Sequence, residues 1–423
     1  MKLIHSDKIE KPEDSKKPES SSKGMSRRKL LGGAAAAAML IVQTSFGKTV
    51  QMALSEDEQD PTKKQGPLPS QIGTRSPYEK PVRKTSDTSS RTPLQDLYGT
   101  ITPSDLHFER HHGGIPTIDP NKYELLIHGM VQKPMIFKLS ELKRFPAVSR
   151  IAFLECSGNF RTGKETMMPQ EICGLTSQSE WTGVMLSTLF REVGIDPKAS
   201  WFLAEGGDAS VLTRSIPIQK GLTDAMIVYA QNGEAIRPAQ GYPARLFLPG
   251  WEGNSNVKWI RRIEVSDQPF MTREETSKYT ENVKDKVRQF SFDMDARSII
   301  TYPAYPVQVE KGWIEIRGIA WTGRGKISRV EISTDAGKSW HKANLQEPVL
   351  DKAHVYFRYL WAWNGEETEI MSRAVDETGY TQPTIKQLVD ARGVDMGGYH
   401  LNPVTAWRIK RDGSVLHRPE IWK

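Results

Sequence analysis

The first chemically pointed feature of this 423-residue chain is a cysteine at the end of a short apolar run. In Ile151-Ala-Phe-Leu-Glu-Cys156-Ser-Gly-Asn159 the pattern is that of a buried strand delivering a thiol to a loop at its mouth. Such a thiol can be a nucleophile, half of a disulfide, a metal ligand or a small core residue. Two other clusters bear on the choice. His107, Arg110, His111 and His112 crowd a stretch ended by Gly113 and Gly114. The histidines could ligate zinc, but no carboxylate stands at helical spacing, and the glycines favour a loop of donors that holds an anion. Farther on, residues 238–265 place Arg245 at the head of one apolar strand and Lys258 at the head of the next, with glycine, asparagine and serine between. Backbone N–H groups flanked by two cations suit a phosphate.

These groups need elements to position them. Tyr123–Gly129 reads as a strand ending in a turn, and Leu139–Phe145 as a short helix capped by Ser140. The run into Cys156 is the next strand. Leu186–Val193 reads as a helix stopped by Gly194, and Trp201–Asp208 as a buried strand finishing in a glycine loop. Strands and short helices mix without regular alternation, so an α+β domain is expected over 96–294. Beyond residue 295 the texture changes to short strands of period two. Phe357, Tyr359, Trp361 and Trp363 share one face, which predicts a β-sandwich over 295–423. Ser333-Thr-Asp335-Ala-Gly337-Lys-Ser-Trp340 predicts a hairpin braced by the aspartate, with the tryptophan packed beneath it.

The net charge of +7 is mostly a property of the N-terminus, because residues 1–50 hold ten Lys or Arg against five Asp or Glu. With no basic-aromatic recognition motif in the remainder, nucleic acid is not expected as a partner. Ser26-Arg27-Arg28-Lys29-Leu30-Leu31 precedes an apolar run, Gly32–Val42, too short to span a membrane. This resembles a twin-arginine export signal, a route that carries folded proteins to the periplasm, so 1–50 is expected to be a leader and the mature form free of the membrane. Residues 51–95, rich in Ser, Thr and Pro, are expected to be a linker or an extended arm. Cys156 and Cys173 are the only cysteines, which leaves a single disulfide open for an exported protein. No Cys-x-x-Cys-His occurs, so this chain attaches no c-type haem, and electrons would leave through another protein.

Together these pieces resemble the sulfite oxidase family of molybdenum enzymes. The resemblance rests on Cys156-Ser-Gly158-Asn159, Phe108-Glu-Arg110-His-His112 with Pro116, Gly-Tyr-Pro-Ala-Arg245, Val257-Lys258-Trp259, and Arg392-Gly-Val with Asn402 and Ala406-Trp407, within residues 97–423. It implies a mixed α/β molybdopterin-binding domain followed by an immunoglobulin-like domain that often mediates dimerisation. It also implies one molybdenum-molybdopterin per subunit, with Cys156 as the metal's protein ligand. By position, the resemblance makes Arg110, Arg161 and Arg392 substrate-site arginines and Tyr279 a hydrogen-bonding tyrosine near the reacting oxygen. Arg110, His112, Cys156, Asp208, Arg245 and Lys258 would hold the cofactor.

Segments such as Tyr-Gly-Thr-Ile-Thr-Pro103, Thr-Arg214-Ser-Ile-Pro, Leu-Pro-Gly250-Trp-Glu-Gly-Asn and Glu-Thr-Ser-Lys-Tyr279-Thr resemble, within the family, the SoxC type of sulfane dehydrogenase subunit. That likeness implies a dihaem cytochrome c partner, in a homodimer or a heterotetramer with the cytochrome. It implies a substrate sulfur held on a carrier protein's cysteine in bacterial thiosulfate oxidation. Phe160 stands where animal sulfite oxidases have an arginine, and Gln240 where they have a pterin-binding histidine. Fewer charges and a wider mouth would suit a protein-borne sulfur. The alternatives are a sulfite dehydrogenase acting on free sulfite and, more remotely, a non-catalytic binding subunit with Cys156 and Cys173 bridged.

Overall fold

The structure is a computed structural model describing residues 65–420. The expected leader at 1–50 and the first part of the expected linker, 51–64, lie outside the described residues. The compact body begins at Arg75. Its first strands, β1 (Lys84–Ser86) and β2 (Ser89–Arg91), form a hairpin inside the stretch expected to be linker or arm, and β2 pairs with β3 (Glu109–Arg110). Among the described residues Pro67, Pro69, Pro77 and Pro81 lie in irregular chain, and Pro81 is the last of them before β1. The hairpin therefore ties the N-terminal segment to the strand that carries Arg110.

Two five-stranded sheets follow. One contains β6 (Val148–Glu155), β7 (Thr176–Met185), β10 (Met226–Gln231), β11 (Glu234–Ala235) and β12 (Arg245–Phe247). The other runs in the order β5 (Met135–Lys138), β4 (Glu124–Gly129), β13 (Ile260–Ser266), β8 (Trp201–Gly206), β9 (Thr213–Pro217), with β4 and β13 parallel. Leu186, Leu189, Phe190 and Val193 of the helix Leu186–Val193 are all fully buried, against Phe202 and Ile216 of the second sheet among others. Spacing of 3, 4 and 7 gives that helix one apolar stripe. Gly194 ends it at φ 67°, a left-handed conformation that glycine adopts without cost. The helix Leu139–Leu142 differs in its cap. Ser140 lies inside it, and the Glu141 carboxylate accepts from the Lys138 N–H at 2.8 Å.

After the short hairpin β14 (Glu281–Val283) and β15 (Lys286–Arg288) come two facing sheets. These are β16 (Arg297–Tyr302), β17 (Gly312–Trp321), β21 (Val355–Trp363) and β20 (Asn344–Leu345), against β19 (His341–Lys342), β18 (Ile327–Ser333), β22 (Thr368–Asp376), β23 (Ala406–Ile409) and β24 (Val415–Arg418). The sandwich expectation holds, and the α+β class with it. Phe357 and Trp363 are buried in the sandwich core, while Tyr359 and Trp361 pack against its edge. The braced hairpin is present: Asp335 accepts from the Ser339 N–H at 2.9 Å and from the hydroxyls of Ser333 and Ser339, and Trp340 packs on Met371, Val404 and Ala406. Among the described residues no helix is long and apolar enough to cross a membrane.

Candidate active site

The strand β6 delivers Cys156 as the sequence predicts. The Cys156 N–H donates to Leu175 O at 3.0 Å, and the Asn159 N–H closes the turn on Cys156 O at 3.0 Å. The Asn159 side chain then clamps the loop, donating to Glu155 Oε1 (3.0 Å) and accepting from the Leu175 N–H (2.7 Å). Glu155 is itself held by Arg297 (2.8 Å) and the Trp321 indole N–H (2.6 Å), both from the sandwich. A buried carboxylate with three donors is a fixed anchor, because each donor restricts the same two oxygens.

Cys156 lies in the wall of a cleft with about 660 Å³ of empty volume. Seven of the expected site residues share its lining: Arg110, His112, Cys156, Asp208, Arg245, Lys258 and Tyr279. Arg161 and Arg392 are not among them. Arg161 is exposed, its backbone N–H bound to Ile172 O at 2.8 Å. Arg392 is buried, and its guanidinium donates to the carbonyls of Met396, Tyr399 and His400 and pairs with Glu281 at 3.5 Å. That geometry makes Arg392 the brace of the 396–400 turn, whose Tyr399 ring lies 5.3 Å from the Tyr279 ring. Both cysteines are free.

The imidazoles of His111 and His112 already have partners. Lys258 Nζ reaches His111 Nδ1 (2.8 Å), Arg110 O and Ala239 O (both 3.2 Å), while His111 Nε2 faces Glu109 at 3.1 Å. An ammonium can only donate, so Nδ1 is the acceptor and the proton sits on Nε2, toward the carboxylate. His107 is fully buried, its Nδ1 on Phe108 O. His112 Nε2 meets the Tyr279 hydroxyl at 2.8 Å; burial, with Arg110 nearby, pulls this imidazole down to about 4. Burial raises the Tyr279 phenol, which keeps its proton.

The cleft's cations lack counterions. Arg245 is 1% exposed, donates to Gln240 O (3.1 Å) and Asn256 O (2.8 Å), lies over the Trp181 ring at 5.3 Å, and leaves Nε buried with no acceptor. Burial pulls Arg245 down to about 9 and Lys258 to about 7. Neither they nor Arg110 makes an ion pair with a carboxylate among the described residues. Buried cations are costly unless an anion joins them, so the donor set calls for an anionic guest. Glycine sets how closely two of the cleft's loops approach. A Cβ on Gly113 would lie 2.4 Å from Ser210 N, so only glycine lets the His112 loop pack against the Asp208 loop. Burial raises the Cys156 thiol in the protein alone, and coordination to a metal would reverse that by removing the proton. A soft thiolate beside a phosphate-sized cationic cradle fits a molybdenum-dithiolene pterin.

Behind the cleft is a buried charge network that the sequence did not point out. Arg214 donates to Glu252 (2.8 Å) and Glu275 (2.7 Å), and its guanidinium sits 5.2 Å from the Tyr279 ring. Glu252 also accepts from Asn254 (2.7 Å), which reaches Ser157 of the cysteine loop at 3.1 Å. His400 Nε2 lies 3.2 Å from Glu252 and 3.6 Å from Glu281. An available signal was that Arg214 and Glu252 each have no other charged residue within five positions on either side, since buried charges need partners.

This network makes stability depend on pH. Burial alone would lower His400, but the hydrogen bond and charge of Glu252, with Glu281 and Asp295 behind, carry it above its ordinary value. A raised folded value means the contribution is complete below the unfolded pKa of about 6.5 and is lost as pH rises through the folded value. Urea unfolding of wild type and His400→Gln should therefore differ most near pH 6 and converge toward alkaline pH. A gap that does not change with pH would remove His400 from this role.

Comparison with known proteins gives the arrangement its family. Residues 112–274 match the family model "Oxidoreductase molybdopterin binding domain", and 288–406 match "Mo-co oxidoreductase dimerisation domain". The crystal structure of the sulfane dehydrogenase SoxCD from Paracoccus pantotrophus is similar with TM-score 0.78 and 40% identity, over 86% of this chain and 100% of that one. The chain belongs to the sulfite oxidase family of molybdenum enzymes. Its cofactor is accordingly molybdenum-molybdopterin. Mitochondrial sulfite oxidase of Drosophila melanogaster is 30% identical over 336 residues, 71% of this chain and 58% of that protein. Sulfite oxidase of Gallus gallus is 28% identical over 333 residues, 71% of this chain and 72% of that protein. An NADH nitrate reductase of Ulva prolifera is 28% identical over 356 residues, 70% of this chain and 40% of that protein.

Proposed function

We propose that this sulfite oxidase family member is the molybdenum subunit of a sulfane dehydrogenase, oxidising a sulfane sulfur carried on a partner protein's cysteine. The observation that carries this reading is a cleft joining the Cys156 thiol to cations without counterions, in a chain 40% identical to a sulfane dehydrogenase structure. Cys156 would ligate the metal, and Arg245, Lys258, His112 and Asp208 would hold the pterin and its phosphate. The cofactor, when bound, supplies oxygen-atom transfer to sulfur and takes up two electrons.

This chain's residues do the rest. Arg110 would hold the anionic end of the substrate, and the protonated Tyr279, fixed by His112, would donate a hydrogen bond to the transferring oxygen. Each oxygen added to sulfur comes from water, with release of two protons and two electrons. The electrons would leave one at a time to a dihaem cytochrome c, as either a heterotetramer or a homodimer meeting it transiently. Export by the twin-arginine route to the periplasm completes the proposal, since that route carries a folded, cofactor-loaded chain.

Sulfite oxidases among the relatives keep a second reading in view, a sulfite dehydrogenase acting on free sulfite. Steady-state reduction of cytochrome c separates the two. Turnover that requires a carrier protein loaded with sulfane sulfur is the expected result; strong turnover on free sulfite alone would favour the second reading. Correctly exported protein without molybdenum would overturn both.

A further inference from the structure

Two residues beyond Tyr279, a lining residue of the cleft, the chain forms the hairpin β14–β15, a two-stranded sheet joined to no other. Such a hairpin is marginal alone. This one is pinned at its base by the buried Glu281, which takes Arg288 from the facing strand and lies 3.5 Å from Arg392 and 3.6 Å from His400. At its turn the Lys284 N–H donates to Arg392 O at 2.6 Å. The hairpin is therefore a fixed feature next to the segment that carries Tyr279.

Burial sorts the charges of this segment. Residues 273–288 contain five Lys or Arg, every one exposed, and four Asp or Glu, of which only Asp285 is exposed. Glu274, Glu275 and Glu281 are 3%, 1% and 1% exposed, so their charge is spent inside. Arg273 and Arg288 pair with Glu274 and Glu281. Lys278, Lys284 and Lys286 have no carboxylate partner among the described residues. Lys284 also holds φ 57° in the two-residue turn, a left-handed position that glycine fills at less cost, so turn chemistry alone does not favour a lysine there. A small apolar centre completes the surface. Val287 pairs with Asn282 and shares its face, and Asn282 Nδ2 donates to Asp395 O at 3.0 Å, next to Val394. Val287 and Val394 are 63% and 56% exposed.

We infer that the β14–β15 hairpin, with Lys278 and Val394, is the docking surface for the carrier protein that delivers the sulfur, and that it recognises an acidic rim around that protein's cysteine. Exposed cations around an apolar centre suit a protein partner of opposite charge, which they also steer into register. The carrier is the occupant because electrons cross protein and a sulfur atom does not. A carrier must bring its sulfur to Tyr279 and Cys156, so its rim meets whatever borders Tyr279. An electron acceptor has no such need. The inference rests on the carrier-bound sulfur of the proposed function, but its test does not need turnover.

Molybdenum-loaded protein is titrated by calorimetry with the carrier, its cysteine blocked by iodoacetamide. In Lys284→Glu/Lys286→Glu the carrier should bind at least tenfold more weakly at low salt, with a flatter salt dependence than wild type. The KM for sulfane-loaded carrier should rise by a similar factor, with kcat within twofold. Lys284→Arg/Lys286→Arg keeps the charges and should bind as wild type does. Lys338→Glu/Lys342→Glu makes the same change of net charge at exposed positions of the Asp335 hairpin and should leave carrier affinity unchanged. Equal losses in the two reversed variants, unchanged affinity in Lys284→Glu/Lys286→Glu, or no carrier binding to wild type overturns the surface. So does a rise in the KM for cytochrome c with that for the carrier untouched. If carrier binding falls as expected while wild type oxidises no carrier-borne sulfur, the surface stands and the proposed activity fails.

Discussion

Cys156→Ser is expected to abolish turnover, by at least a thousandfold, while leaving the fold and most of the pterin in place. The reasoning is that thiolate and hydroxyl differ little in size but greatly in softness and acidity. A serine hydroxyl keeps its proton and is a poor partner for a metal already bound by dithiolene sulfur. The pterin and phosphate would still be gripped by Arg245, Lys258, His112 and Asp208, none of which touches the substituted atom's role. Nor does the loop depend on Sγ. Its shape is set by the backbone bonds of Cys156 and by the Asn159–Glu155 clamp. The check is cytochrome c reduction alongside molybdenum, pterin and thermal-unfolding measurements on the same preparation. Activity within tenfold of wild type would remove Cys156 as the ligand.

The second large effect is on stability. Glu252→Gln keeps the side-chain shape but turns one carboxylate oxygen into an amide donor in a site where donors already converge. Glu252 is 1% exposed and receives Arg214, Asn254 and His400. Removing one partner of a buried ion pair costs about 3–5 kcal/mol, because the remaining charge is left unpaired in a medium that cannot solvate it. Arg214 keeps Glu275, so the expected loss is toward the lower end of that range. Denaturant unfolding at neutral pH measures it, and a loss under about 1 kcal/mol would show that the network carries little of the fold's stability.

What could be read in the sequence was whatever is local. Cys156, Gly194 and the Asp335 hairpin declare themselves because strand, stop and turn chemistry are settled within a few residues. The cleft's cations were found through their order along the chain, and seven of the nine expected positions meet there. The other two show the limit. Arg392 sits eight residues from His400, whose carbonyl takes its guanidinium, a turn closure that no periodicity announces. The buried network was illegible for the same reason: Glu252 and His400 are 148 positions apart, and only the fold decides that they meet. The hairpin β1–β2 hid behind composition. Its serines, threonine and lysine resemble linker, and what makes them strand is the edge offered by Glu109–Arg110.

The anchoring of Glu155 by Arg297 and Trp321 has a further meaning for how this chain can be divided. The change of texture near residue 295 invites a cut there, separating an enzyme from an assembly module. Yet the guanidinium and indole that steady the cysteine loop lie on the far side of that cut. A fragment ending at 294 would keep the residues that line the cleft and lose the splint beneath them. The unit of inheritance for this chemistry is thus the pair of domains, and a sandwich exchanged from a relative would have to bring its own arginine and tryptophan to the same two oxygens.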